Sequence, residues 1–126
     1  MKDLNEITGA IMDAGYRIHS RLGPGMYELV YERVLEQDLL RRGFSVERQK
    51  PVSIEFEGMH FENAFNLDLL VDGRVIVEVK SVEAVARVHE KQLHTYLRLT
   101  DCRVGLLINF NVPIIKAGIR RIANGI

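Results

Sequence analysis

Apolar residues near the start of the chain fall at Leu4, Ile7, Ile11, Ala14, Ile18 and Leu22. Steps of three and four align them along one face, so the spacing predicts an amphipathic helix. Leu22-Gly23-Pro24-Gly25 stops it. A second helix is expected from near Tyr27 to about Arg42, with Gly43 as its C-terminal stop. The period then falls to two. Residues 52–58 alternate apolar and polar, the pattern of a half-exposed strand, with a separate strand expected before it at 44–49. Gly58 marks a turn, and residues 61–71 continue as a strand towards Asp72-Gly73. The next strand, residues 74–80, reads Arg-Val-Ile-Val-Glu-Val-Lys. Helical spacing returns over about 85–99, and residues 104–110 form the apolar run of a strand covered on both faces. Strand, helix and strand between 75 and 109 predict a right-handed parallel crossover. The expected architecture is α/β, a mixed sheet of antiparallel strands plus one parallel crossover strand, flanked by helices.

Two strands break this apolar pattern. Glu78 and Lys80 are two residues apart, hence on one face of a strand otherwise made of valine and isoleucine. Burying an unpaired carboxylate or ammonium costs several kcal/mol in order of magnitude. Asp68 raises the same question in the preceding strand. A two-residue turn at Asp72-Gly73 would send Asp68 and Glu78 to opposite faces, whereas a three-residue loop with a bulge would give both carboxylates and Lys80 one face. Crowded carboxylates repel and rise in pKa unless a cation intervenes, and hard oxygen ligands suit Mg²⁺ or Mn²⁺. An isolated Glu-x-Lys is more often a structural ion pair or an exposed strand end. The following helix adds Gln92 and Tyr96 one turn apart on one face, bordering the stripe of Leu93 and Leu97, with His89 one turn earlier.

Bulk composition narrows the functional classes. The chain has 126 residues, 47% hydrophobic and 27% charged, the profile of one globular domain spanning 1–126. Seventeen basic and seventeen acidic residues cancel, so no global field draws in nucleic acid or a membrane. The first twenty residues are too interrupted by charge for a signal peptide, and no apolar run approaches membrane-spanning length. The single Cys102 fits a reducing cytoplasm and reads as a small buried hydrophobe. His19, His60 and His94 share no metal-ligand spacing, and Asn109 and Asn111 read as strand-end caps.

Asp68 followed by Glu78-Val79-Lys80 resembles the PD-(D/E)xK nuclease superfamily. Gly25-Met26-Tyr27-Glu28-Leu29-Val30-Tyr31 is similar to the name motif of the small bacterial GxxExxY family within it. "VHEKQLHTYLRLT" resembles that family's Gln-x-x-x-Tyr helix, and "GLLINFNVP" its following strand and turn, so that the resemblance runs from about Ile7 to Asn124. Asn66 departs from it, standing where the family is expected to carry an arginine that would contact phosphate.

The resemblance implies a restriction-endonuclease-like fold and a metal-dependent nuclease. Glu28, Asp68 and Glu78 would hold Mg²⁺ or Mn²⁺, Lys80 would place the attacking water, and Gln92 and Tyr96 would support water, lysine or a substrate phosphate. Together they are expected to line a cleft. Without the shared motif, Glu28 reads as a solvated glutamate at a helix start, where the dipole favours its charge. Arg87, Lys91, Arg98, Lys116, Arg120 and Arg121 are candidate backbone contacts. No base-reading element is evident, so backbone or structure recognition is expected, of DNA more than RNA. The competing reading is a nuclease-like module that binds nucleic acid or protein with little turnover. A homodimer that completes the site is a third.

Overall fold

The computed structural model describes residues 2–125. Helix α1 (Leu4–Leu22) starts where Asp3 accepts a hydrogen bond from the Glu6 amide at 2.7 Å and stops at Gly23, φ 70°. Its Ile7, Ile11, Ala14 and Ile18 are buried against the sheet. Helix α2 (Glu28–Arg41) buries Tyr31, Leu35 and Leu39 in the same cluster. The Tyr31 ring stacks on Phe110 at 4.3 Å between centroids. Its hydroxyl donates to the Gly23 carbonyl and accepts from the Met26 amide, fastening the loop between the two helices.

Five strands follow in the order β1 (Val46–Phe56), β2 (Met59–Val71), β3 (Val75–Lys80), β4 (Val104–Asn109) and β5 (Ile119–Ala123), each beside its neighbour in sequence. β3 and β4 are parallel, joined through helix α3 (Arg87–Thr100); the other pairs are antiparallel. This is the mixed α/β sheet flanked by helices that the hydrophobic pattern predicts. Val75, Val77 and Val79 pack with α1 and α2, while Ile76 and Leu107 pack with Leu93 and Leu97 of α3. The alternation places Glu78 and Lys80 on the α3 side of β3.

Three elements differ from expectation. Residues 44–49 and 52–58 do not form two strands; β1 runs unbroken through Lys50 and Pro51. Proline removes an amide donor, which an edge strand tolerates because one side of it has no partner, and β1 is an edge. The chain also closes with a 3-10 turn at Ile115–Gly118 and the short β5, neither of which the pattern announces. Gly118 is required there: a Cβ would collide with the carbonyl oxygen of Asn109. Asn109 in turn does more than cap its own strand. Its buried side chain accepts from the amide and donates to the carbonyl of Val82, pinning the chain just beyond Lys80.

Candidate active site

β2 and β3 part company where the charged residues lie. Their ladder pairs Val71 with Val75, Leu70 with Ile76 and Leu69 with Val77, then ends, whereas β3 stays paired with β4 as far as Lys80 and Asn109. The connecting loop is Asp72, Gly73 and Arg74, with left-handed φ values of 51° and 66° at the first two. Continuing this register sets Asp68 opposite Glu78. In place of further ladder bonds, the side chains span the fork. Glu78 Oε2 accepts from the Asp68 amide at 3.0 Å, and Asp68 Oδ2 accepts from the Val79 amide at 2.8 Å.

β2 also changes face here. Leu67 packs with the α3-side cluster and Leu69 with the α1/α2-side cluster, although residues two apart on a regular strand share a face. Across from the change, Gln49 sits between the Arg48–Leu69 and Lys50–Leu67 pairs with φ 51°. A non-glycine residue held there costs on the order of 1 kcal/mol and persists only where surrounding contacts enforce it. Those contacts are specific: Gln49 Nε2 donates to Glu32 Oε1 at 2.8 Å and to Asp68 Oδ1 at 3.3 Å. Glu32, one helical turn after Glu28, is buried and takes Arg48 on its other oxygen at 2.9 Å.

The electrostatics of the fork are unfavourable for two bare carboxylates. Glu78 is buried, and desolvation pushes its carboxyl up to about 8, with the Asp68 charge adding to the rise. Burial likewise raises Asp68; the Val79 amide opposes this, and the Glu32 charge reinforces it. Lys80 lowers both by its charge, yet no ion pair within 4.0 Å joins it to either among the described residues. The Lys80 charge thus reaches both carboxyls without an ion pair among the described residues.

The remaining sequence candidates are placed unequally. Tyr96 lies flat on Phe65, ring centroids 4.2 Å apart, and its phenol is raised first by burial and then by the charges of Glu78 and Asp68. Tyr96 therefore lies within reach of the charges at the fork. Gln92 is exposed one turn earlier on α3 and makes no side-chain hydrogen bond among the described residues. Glu28 is exposed at the start of α2, where its Oε2 accepts from the Ser81 amide at 3.2 Å, one residue beyond Lys80. The α2 carboxylate whose charge reaches Asp68 and Glu78 is Glu32. Arg87, Lys91 and Arg98 share one exposed stripe of α3, turned roughly half a revolution from Tyr96 at 3.6 residues per turn. His89 Nδ1 accepts from the Ala86 amide, and Cys102 is buried in the α3-side cluster.

Glu32 and Gln49 are the two members of this constellation that the sequence pattern leaves unmarked. Glu32 borders the apolar stripe of α2, a position that glutamate usually occupies with its head in water, and only the distant Arg48 shows that it is buried. Gln49 has no local signal beyond its place before Lys50-Pro51.

No three His, Cys, Asp or Glu side chains gather to hold an ion among the described residues. Asp68 and Glu78 nonetheless suit a hard divalent cation. Mg²⁺ commonly takes one or two carboxylates and completes its shell with water and substrate phosphate, and a dication would relieve the repulsion in the fork.

A family model described as the PD-(D/E)XK nuclease superfamily matches residues 5–122. The chain belongs to the PD-(D/E)XK nuclease superfamily. Proteins of the superfamily are usually nucleases and generally use divalent metals, so its substrates are nucleic acids. No characterised protein and no solved structure matches the chain significantly. Among the described residues no helix of this PD-(D/E)XK protein is long and apolar enough to cross a membrane.

Proposed function

We propose that this chain is one PD-(D/E)xK nuclease domain of the GxxExxY kind, a cytoplasmic enzyme that hydrolyses phosphodiester bonds of DNA in preference to RNA with Mg²⁺ or Mn²⁺. The observation that carries the reading is the fork, where Asp68 and Glu78 replace the end of a strand ladder and face each other with no ion pair to either among the described residues. Asp68 and Glu78 would hold the metal, which when bound supplies Lewis-acid polarisation of the phosphate. Glu28 would border the site through its link to Ser81 and receive a metal-held water at its edge. Lys80 would orient the attacking water with a compact ammonium. Tyr96, fixed by Phe65, would hydrogen-bond a phosphate oxygen, and Gln92 would swing to the same phosphate from the turn above. Glu32 and Gln49 would hold Asp68 in register.

One observation favours the second reading, a binding module with little turnover: Glu28 is spent on the Ser81 amide and does not gather with Asp68 and Glu78 into a three-carboxylate group among the described residues. Labelled single- and double-stranded DNA and RNA, incubated with Mg²⁺, Mn²⁺ or chelator, separate the two. The nuclease reading requires cleavage that needs metal and is lost in Lys80→Ala. Binding without cleavage by the wild-type protein would establish the module instead. Sedimentation of the same samples tests whether a homodimer is the active form.

A further inference from the structure

We propose that a recess beside the fork receives an unpaired nucleobase flanking the phosphodiester to be cut, with Tyr27 as its stacking platform, which makes single strands or frayed ends the preferred substrate. The inference rests on the nuclease reading and adds to it a substrate class. The recess is an open depression of about 480 Å³ lined by Tyr27, Met26, Glu28, Ser81 and Asn111, within the roughly 300–1,000 Å³ typical of small-ligand clefts.

Tyr27 is 80% exposed, against 59% for Phe56 and 46% for Phe61. Its backbone is held all the same. The Tyr31 hydroxyl accepts from the Met26 amide at 3.1 Å, Ser81 Oγ donates to the Met26 carbonyl at 2.6 Å, and the Ser81 amide donates to Glu28 at 3.2 Å. A ring on a fixed loop presents a π-face at little entropic cost. Such a face takes any base, because stacking does not depend on base identity.

The polar groups select the same part of a nucleotide. Glu28 is the charged group in the lining, and no lysine or arginine joins it, so the recess repels a phosphate and accepts a neutral base. The Asn111 side chain makes no hydrogen bond among the described residues and leaves an amide donor and acceptor for a base edge. Ser81 lines the recess and directly follows Lys80 in the chain, so a base seated here would lie next to the residue proposed to place the attacking water. Within a duplex each base is already stacked and paired, and only one that has left the helix can lie on Tyr27.

The test is fluorescence anisotropy with short phosphorothioate-protected DNA, single-stranded and as a blunt duplex of the same sequence, in Mg²⁺. Tyr27→Ala should weaken single-strand binding about tenfold, weaken duplex binding less than twofold, and leave the melting temperature where it was. Tyr27→Phe keeps the ring and should bind as wild type. Equal losses on both DNAs, or no loss on the single strand, would overturn the inference while leaving the nuclease intact. Wild-type protein that neither binds nor cuts any nucleic acid would overturn both.

Discussion

Asp68 and Glu78 each accept a hydrogen bond from the backbone of the other's strand. Two side chains thereby do what a continued ladder would do, and two carboxyl groups are fixed together where water is scarce. Glu78 feels this most. Its carboxyl stands at about 8 in the folded chain against an ordinary 4.5. The folded protein therefore holds a proton that the unfolded chain has released between those values. In metal-free solution this group contributes stability fully below about pH 4.5 and loses it as pH rises to about 8. The slope can reach about 1.4 kcal/mol per pH unit. Urea denaturation in chelator at about pH 5 and pH 8 should show the loss, and Glu78→Gln should be the more stable protein at the higher pH. A variant with the wild-type slope would assign the titration elsewhere.

Metal binding should run the other way. The ion needs both carboxylates ionised, so its uptake releases a proton and its affinity climbs as pH rises towards 8. Calorimetric titration of Mg²⁺ in two buffers of different ionisation enthalpy counts that proton directly. At a hundred times the dissociation constant the ion adds about 2.7 kcal/mol to stability, which appears as a rise in melting temperature. Millimolar Mg²⁺ and Mn²⁺ that shift neither melting nor heat would remove the metal from the site.

Much of this fold can be read along the chain, and the reasons that some of it cannot are physical. α1, β3, α3 and β4 carry apolar residues at the spacing of their own geometry, so each announces itself. Both halves of β1 read as strand, and only their continuity is hidden by Pro51, which reads as a break unless the strand is known to lie at an edge. β5, Ile-Arg-Arg-Ile-Ala, is too short and too charged to show a period, and exists because β4 offers it a partner. In the site, Asp68, Glu78 and Lys80 stand out because charge interrupts apolar strands. Glu32 does not, since a glutamate on a helix is ordinary and its burial depends on Arg48 from β1.

Glu32 should consequently matter in a way that a solvated glutamate would not. Its charge lifts both Asp68 and Glu78, so Glu32→Gln, which keeps the shape and removes the charge, should move the onset of Mg²⁺ binding to lower pH. The partly buried Arg48 then loses its shorter ion pair and keeps only Glu36 at 3.7 Å, at a stability cost on the order of 2 kcal/mol. An unchanged pH profile in this variant would detach Glu32 from the site and leave it a purely structural anchor for Arg48.

Lys80 decides between a structural and a chemical role for the fork. If it served only to offset Glu78, an ion pair would be expected, and none within 4.0 Å is present among the described residues. In the proposed mechanism its ammonium would instead hold a water where a phosphate is attacked. Arginine would keep the charge but spread it over a wide planar fork, which displaces that water. A shift of about 1 Å in a reacting group can cost on the order of a hundredfold in rate. Lys80→Arg and Lys80→Ala should therefore both lose most cleavage, while both fold normally and still bind Mg²⁺. Glu78→Ala should lose Mg²⁺ binding as well. Measuring cleavage, Mg²⁺ affinity and melting temperature on all three separates the roles: near-wild-type cleavage by Lys80→Arg would mean that only its charge is needed, and unfolding of both lysine variants would make it a structural residue after all.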